Sequence, residues 1–213
     1  MFSLSYWPAS VICCGGNGTW NTGFIVLDYS GVFRAPFGLR ANYSFGSQGN
    51  FGGPGWAGFN ASGNDAIWSV DVFWQRSMEN STIRAFVGYG SMEYNSIFTG
   101  SVQTEILRAT GFRLGGEVSI TTAGPLAFVA SVAWYPSMGV AFRNDGGGGF
   151  TTGGPATGVD WQALAVWRQQ GGNWGFSAGY RGASFSCTNA TVGCPSGQGM
   201  NWSGFIVGAT FTR

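Results

Sequence analysis

The side chains able to do chemistry in this sequence are few, and they occur singly. Charged residues make up only 9% of the 213 positions. Asp28, Arg40, Asp71, Arg84, Arg113, Glu117, Asp160, Arg168 and Arg181 each fall within a stretch of alternating apolar and polar residues, on the face opposite the large apolar side chains. Asn42, Gln75 and Gln162 share that face. If the face lines a confined interior, an unpaired charge there is costly, so acids and guanidiniums should pair across the space. Forked Arg–carboxylate contacts suit such narrow geometry. Asp71 and Arg84, on adjacent alternating segments, are expected to form one such cross-strand pair. Catalysis is not expected. The chain has no His, which removes His-based acyl transfer, and Asp71 with Asp160 is more simply read as part of an ion-pair network than as an acid–base couple. No metal-ligand spacing and no nucleotide-cradling pattern appears, so neither metal nor cofactor is expected.

The elements that must hold these residues show period two. The clearest are residues 66–75 and 82–91, joined by a polar link. Ala66, Trp68, Val70, Val72 and Trp74 oppose Ser69, Asp71 and Gln75; Ile83, Ala85, Val87 and Tyr89 oppose Arg84, Gly88 and Gly90. Such alternation over about ten residues is a strand with two different environments. The pattern recurs over residues 2–12, 22–33, 37–46, 103–120, 126–135, 159–168, 174–181 and 205–212. Within residues 103–120, Arg108 shares the outward parity and should lie beyond the apolar band, unless a bulge intervenes. Pro8, which lacks a ladder donor, suits a strand end or edge.

Links near 34–36, 76–81, 121–125 and 169–173 are short; those near 13–21, 47–65, 92–102, 136–158 and 187–200 are long. The alternation predicts an all-β, closed antiparallel transmembrane β-barrel of ten strands in a single domain over residues 1–213, with eight strands as the alternative, short periplasmic turns and long external loops. Trp20, Trp56, Phe59, Tyr94, Phe98, Phe142 and Phe150 fall in or beside the long links as candidate contact residues. Closure would bring Cys13 and Cys14 beside Cys187 and Cys194. Cross-loop disulfides and a staple within 187–194 are both open, whereas a bond between the adjacent Cys13 and Cys14 is not expected.

Composition agrees with a membrane setting. Aromatics are 16%, glycines number 38, all 10 basic residues are arginine, and the net charge is +1. A soluble surface is normally rich in Lys and Glu. The mean hydropathy is only +0.08, because apolar and polar residues alternate, and no apolar run is long enough for a transmembrane helix. The absence of a basic stripe argues against a nucleic-acid partner. The first residues lack a basic region and a continuous apolar core, so the numbering is expected to begin inside a processed chain.

With these strands and the closing segment GFIVGATFTR, the chain resembles the small outer-membrane β-barrel proteins of Gram-negative bacteria. Phe211, two residues from the last position, departs from the terminal aromatic common in that family. The resemblance implies a bacterial outer-membrane location and contact with membrane lipid or lipopolysaccharide. Three roles fit it: an envelope structural protein with a filled polar lumen, a narrow porin-like channel with weak anion preference, and an adhesin or partner-binding barrel acting through its external loops, as part of an envelope assembly.

Overall fold

Alternation places every second side chain on one face, and ten such strands close on themselves. The computed structural model describes residues 1–13, 18–49, 60–99, 103–144, 151–169, 171–189, 194 and 196–212, with the backbone alone for 60–61, 97–99, 103–104, 144 and 151–153. The strands are β1 (Phe2–Cys13), β2 (Gly18–Arg34), β3 (Phe37–Gln48), β4 (Asn60–Met78), β5 (Ser81–Thr99), β6 (Gln103–Thr121), β7 (Leu126–Asn144), β8 (Thr151–Arg168), β9 (Trp174–Cys187) and β10 (Gly199–Phe211). Each pairs antiparallel with its sequence neighbours, and β1 pairs with β10, so the sheet is a closed ten-stranded barrel. Eight strands is excluded. Pro8 lies within β1 and not at its end; the β1–β10 ladder skips from Tyr6↔Val207 to Ser10↔Ser203 around it.

The outside carries an apolar belt. Leu4, Leu27, Tyr43, Val72, Val87, Leu114, Val132 and Val207 are all exposed large apolar residues. Aromatics gather near both edges: Trp74, Trp167 and Trp174 toward the short turns, and Tyr89, Phe112 and Trp134 toward the long links. Neighbouring rings stack or meet edge-on, as in Trp167–Phe176 (6.0 Å) and Tyr89–Phe112 (5.3 Å). A band of exposed apolar side chains flanked by aromatic girdles is the surface of a transmembrane barrel.

The strands are longer than the alternation predicts. β4 to β7 run 19 residues each, whereas a tilted strand needs only about 9–11 to cross the bilayer. The excess lies at the long-link end, so those links are shorter than expected. Beyond the belt the pattern keeps its period but reverses its polarity. Asn21, Asn64, Glu93, Asn95, Asn201 and Ser203 face outward there, while Trp7, Trp20, Ile67, Met92, Tyr94, Met138, Phe185 and Trp202 are buried inside. Arg108 lies on this outward polar surface and pairs with Glu93, directly opposite on β5. The one irregularity in the β6–β7 register, between Phe112 and Leu114, adds a residue to β7 near Pro136.

A belt position should therefore reject charge where an outer position accepts it. Leu114→Arg is expected to destabilise the barrel by about 2–4 kcal/mol, and Asn201→Arg by no more than about 1 kcal/mol, read by urea unfolding in phospholipid vesicles.

Candidate functional site: the barrel interior

Three layers of side chains occupy the lumen. At the short-turn end, β3, β5 and β6 supply Arg40, Arg84 and Glu117. Arg84 and Glu117 are directly opposed in the β5–β6 register, and Arg84 Nη1 donates to Glu117 Oε1 at 2.8 Å. Arg40 Nη1 donates to the other oxygen at 3.3 Å. One carboxylate thus serves two guanidiniums. Arg84 also donates Nε to Gln75 Oε1 at 3.2 Å and lies over the Phe73 ring at 4.8 Å. These side chains are 13%, 22% and 11% exposed for Arg40, Arg84 and Glu117, and they border a cavity of about 360 Å³ that reaches the short-turn rim.

The middle layer is drier. Arg113 is 2% exposed and Asp71 is fully buried. Arg113 Nε comes within 2.9 Å of Asp71 Oδ1, and Nη2 donates to Oδ2 at 3.1 Å. Nη1 donates to Tyr135 Oη at 3.0 Å and Asp160 Oδ2 at 3.2 Å. Arg181 faces the same Asp160 oxygen at 3.7 Å, donates to Asn42 Oδ1 (3.0 Å) and Ser44 Oγ (3.1 Å), and sits over Trp7 at 4.8 Å. Asp28 accepts from Asn42 Nδ2 at 2.6 Å and so joins the same chain of contacts.

A glycine makes the central pair possible. Asp71 on β4, Gly88 on β5 and Arg113 on β6 lie in one row across the sheet. Acid and base are therefore two strands apart and must meet over the intervening residue. A Cβ on Gly88 would lie 2.2 Å from Asp71 Oδ1.

The third layer fills the long-link end. Asp65, fully buried, accepts from Thr22 Oγ1, Gln48 Nε2 (2.8 Å), Trp202 Nε1 (3.2 Å) and Trp20 Nε1 (3.4 Å). Gln48 is itself held by Ser96 Oγ at 2.9 Å. Around this carboxylate, Trp7 stacks on Phe24 at 4.7 Å and Trp20 meets Tyr94 at 5.1 Å. Asp65 bonds directly to β2, β3 and β10 using neutral donors.

Several sequence expectations need correction. Asp71 and Arg84 do not pair, because the register sets Arg84 opposite Gln75 and Asp71 opposite Gly88. Arg168 is exposed at the short-turn rim and makes no ion pair among the described residues. Trp20 and Tyr94 are strand residues buried in the lumen and not loop contacts, and Phe142 packs partly buried against the same core. Phe98 lies on β5, where only the backbone is described; Trp56, Phe59 and Phe150 lie outside the described residues. Cys187 and Cys194 bond to each other, with Cα atoms 6.0 Å apart, which rules out a cross-loop disulfide for either. Cys13 is also disulfide-bonded, and Cys14 lies outside the described residues.

The sequence reading missed Asp65, Thr22, Gln48, Trp7 and Trp202 as members of the interior network. The signal for Asp65 was present, since it continues the inward parity of Asp71, Ser69 and Ile67.

No family model matches the chain, and no curated protein matches it either. Among solved structures, the outer membrane protease OmpT from Escherichia coli superposes with a TM-score of 0.59 at 10% identity, covering 100% of this chain and 96% of that one. The translocator domain of the autotransporter NalP from Neisseria meningitidis gives 0.45 at 10% identity, over 99% and 88%. This chain has the fold of an outer-membrane barrel. At such identity the likeness concerns the fold alone. Together with the apolar belt it supports an outer-membrane location.

Removing Arg113 would strand Asp71 and crowd Asp160 without its nearer cation. Arg113→Ala is expected to cost about 3–5 kcal/mol, and Gly88→Val should approach that loss by separating the pair without deleting either charge. At the outer layer, Asp65→Ala leaves four donors without their acceptor and should cost more than about 2 kcal/mol. Asp65→Asn, which keeps one acceptor oxygen, should lose less. Urea titration followed by tryptophan fluorescence measures all four.

Proposed function

We propose that this protein is a non-conducting envelope barrel of the outer membrane, a structural protein whose lumen is sealed by its own side chains. The observation that carries the reading is the stack of a fully buried Asp71–Arg113 pair beneath a buried aromatic layer centred on Asp65. A water path would have to pass both. Burial of charge in a lumen this narrow favours pairing over hydration, and a ten-stranded barrel is near the size at which side chains still fill the interior.

A porin-like role would use Arg40 and Arg84 as its selectivity residues, yet both lie below the sealed layers. Catalysis is not part of the proposal. There is no His, and the two interior carboxylates considered as an acid–base couple, Asp71 and Asp160, are both engaged by Arg113. Adhesion through external aromatics loses Trp20 and Tyr94, which point inward.

Planar-bilayer recording tests the proposal. The purified barrel should add no conductance above the bare membrane across ±100 mV, a range chosen as roughly that of natural membrane potentials. Reproducible unitary steps whose size changes in Arg40→Ala or Arg84→Ala would replace the sealed-barrel reading with the channel.

A further inference from the structure

The cavity at the short-turn end is not lined uniformly. On one side stand Arg40 and Arg84, from β3 and β5, sharing the single carboxylate of Glu117. On the other stand Val129, Leu164, Val166 and Ile206, from β7, β8 and β10. Gln162 and Arg168 flank Leu164 and Val166 on β8, and Ser177 and Thr210 lie beside them, so the apolar part is a compact patch within a mixed lining. The volume, about 360 Å³, is at the small end of the ~300–1,000 Å³ typical of ligand pockets, which pair apolar linings with a few placed polar groups.

We propose that this cavity is a binding site for a small amphiphilic carboxylate, a single anionic head carrying a short alkyl chain. The head would take the side of Arg40 and Arg84, whose guanidiniums both contact Glu117 and keep further N–H groups able to hold a second carboxylate. Among the described residues Arg40 donates only to Glu117, so its remaining N–H groups are available. Arg168, also on the lining at the rim, adds attraction at the entrance. The alkyl chain would lie against Leu164 and Val166, removing both surfaces from water. Asp28 and Glu79 also line the cavity, so the head is held by directed hydrogen bonds from the guanidiniums and not by an excess of positive charge. Asp28 is engaged by Asn42 and Ser3, and Glu79 belongs to the exposed β4–β5 turn. The cavity reaches the short-turn rim, and the ligand enters and leaves there. The site does not depend on whether the outer layers conduct.

Isothermal titration of the full barrel with octanoate, in uncharged maltoside micelles, tests the proposal. Wild type should give saturable one-to-one binding. Acetate, lacking the chain, and octanol, lacking the charge, should each bind at least tenfold more weakly. Arg84→Gln should weaken octanoate at least tenfold while leaving octanol unchanged. Leu164→Trp, which fills the apolar side, should abolish octanoate binding; if that variant fails to fold, Arg84→Gln decides alone, with folding checked by far-UV circular dichroism. No saturable octanoate binding to wild type, equal affinity for octanol, or unchanged octanoate affinity in folded Arg84→Gln would overturn the assignment.

Discussion

The contact on which the rest of the interior depends is the one between Asp71 and Arg113. A guanidinium and a carboxylate withdrawn from water inside a membrane-spanning barrel each lose several kcal/mol of hydration. One hydrogen bond at 3.1 Å and a second ion contact at 2.9 Å are what offset that loss. The sheet does not supply the geometry directly, since acid and base stand on strands two apart. Gly88 removes the side chain that would separate them. Once Arg113 is drawn across β5, its Nη1 protons reach Tyr135 and Asp160, and Asp160 in turn faces Arg181. Through Asn42 and Ser44 as well, six strands (β3, β4, β6, β7, β8 and β9) are thereby tied through the lumen in addition to their backbone ladders. Asp71, Arg113, Asp160 and Arg181 each have an opposite partner, which is the condition for keeping any of them there.

Above that layer the barrel changes solvent. Within the belt, lipid requires apolar side chains outside, and the interior takes the polar ones. Beyond it, water outside requires Asn, Ser and Thr, and the hydrophobic effect then acts inward, collecting Trp7, Phe24, Met92, Met138 and Trp202 into a core like that of a water-soluble barrel. One strand such as β5 passes through both regimes without breaking its period: Val87 faces out and Arg84 in, then Glu93 faces out and Met92 in. Asp65 sits in the second regime, and neutral indole, amide and hydroxyl donors satisfy it instead of an arginine.

This change of regime explains what could be read from the sequence. Strand number, closure and facing within the belt were legible, because lipid enforces apolar residues at every second position over ten consecutive segments. The outer half was not, because outward Asn, Ser and Gly resemble loop composition when the inward partner residues are set aside. Trp20 and Tyr94 were assigned to links for that reason. The interior partners were legible as a set and not as pairs. Pairing depends on register, and register on the turn: β4 and β5 pair up to Met78↔Ser81, leaving a two-residue turn in place of the longer link expected at 76–81. That register sets Arg84 opposite Gln75, away from Asp71, and the separate β5–β6 register sets it opposite Glu117. A shift of this size is invisible in the alternation, which fixes the face of each side chain but not its height.

The two ends of the lumen are consequently unlike, and the difference has a physical source. Burial rises along the axis, from half-buried Arg84 at the short-turn rim to fully buried Asp71 in the middle and Asp65 beyond it. At the outer end there is enough aromatic volume to fill the cross-section. At the short-turn end the inward positions of β1, β9 and β10 that line the cavity are, apart from Ile206, the small Ser3, Ser5, Ser177 and Thr210, too short to meet across ten strands, so space remains. Filling it would have needed only larger residues at those positions, with no change of register or charge. A barrel selected solely for rigidity would gain packing from such residues. The retained space, bordered by Arg40, Arg84 and Glu117 and by the apolar patch of Leu164 and Val166, is therefore where a role beyond stability has room to operate.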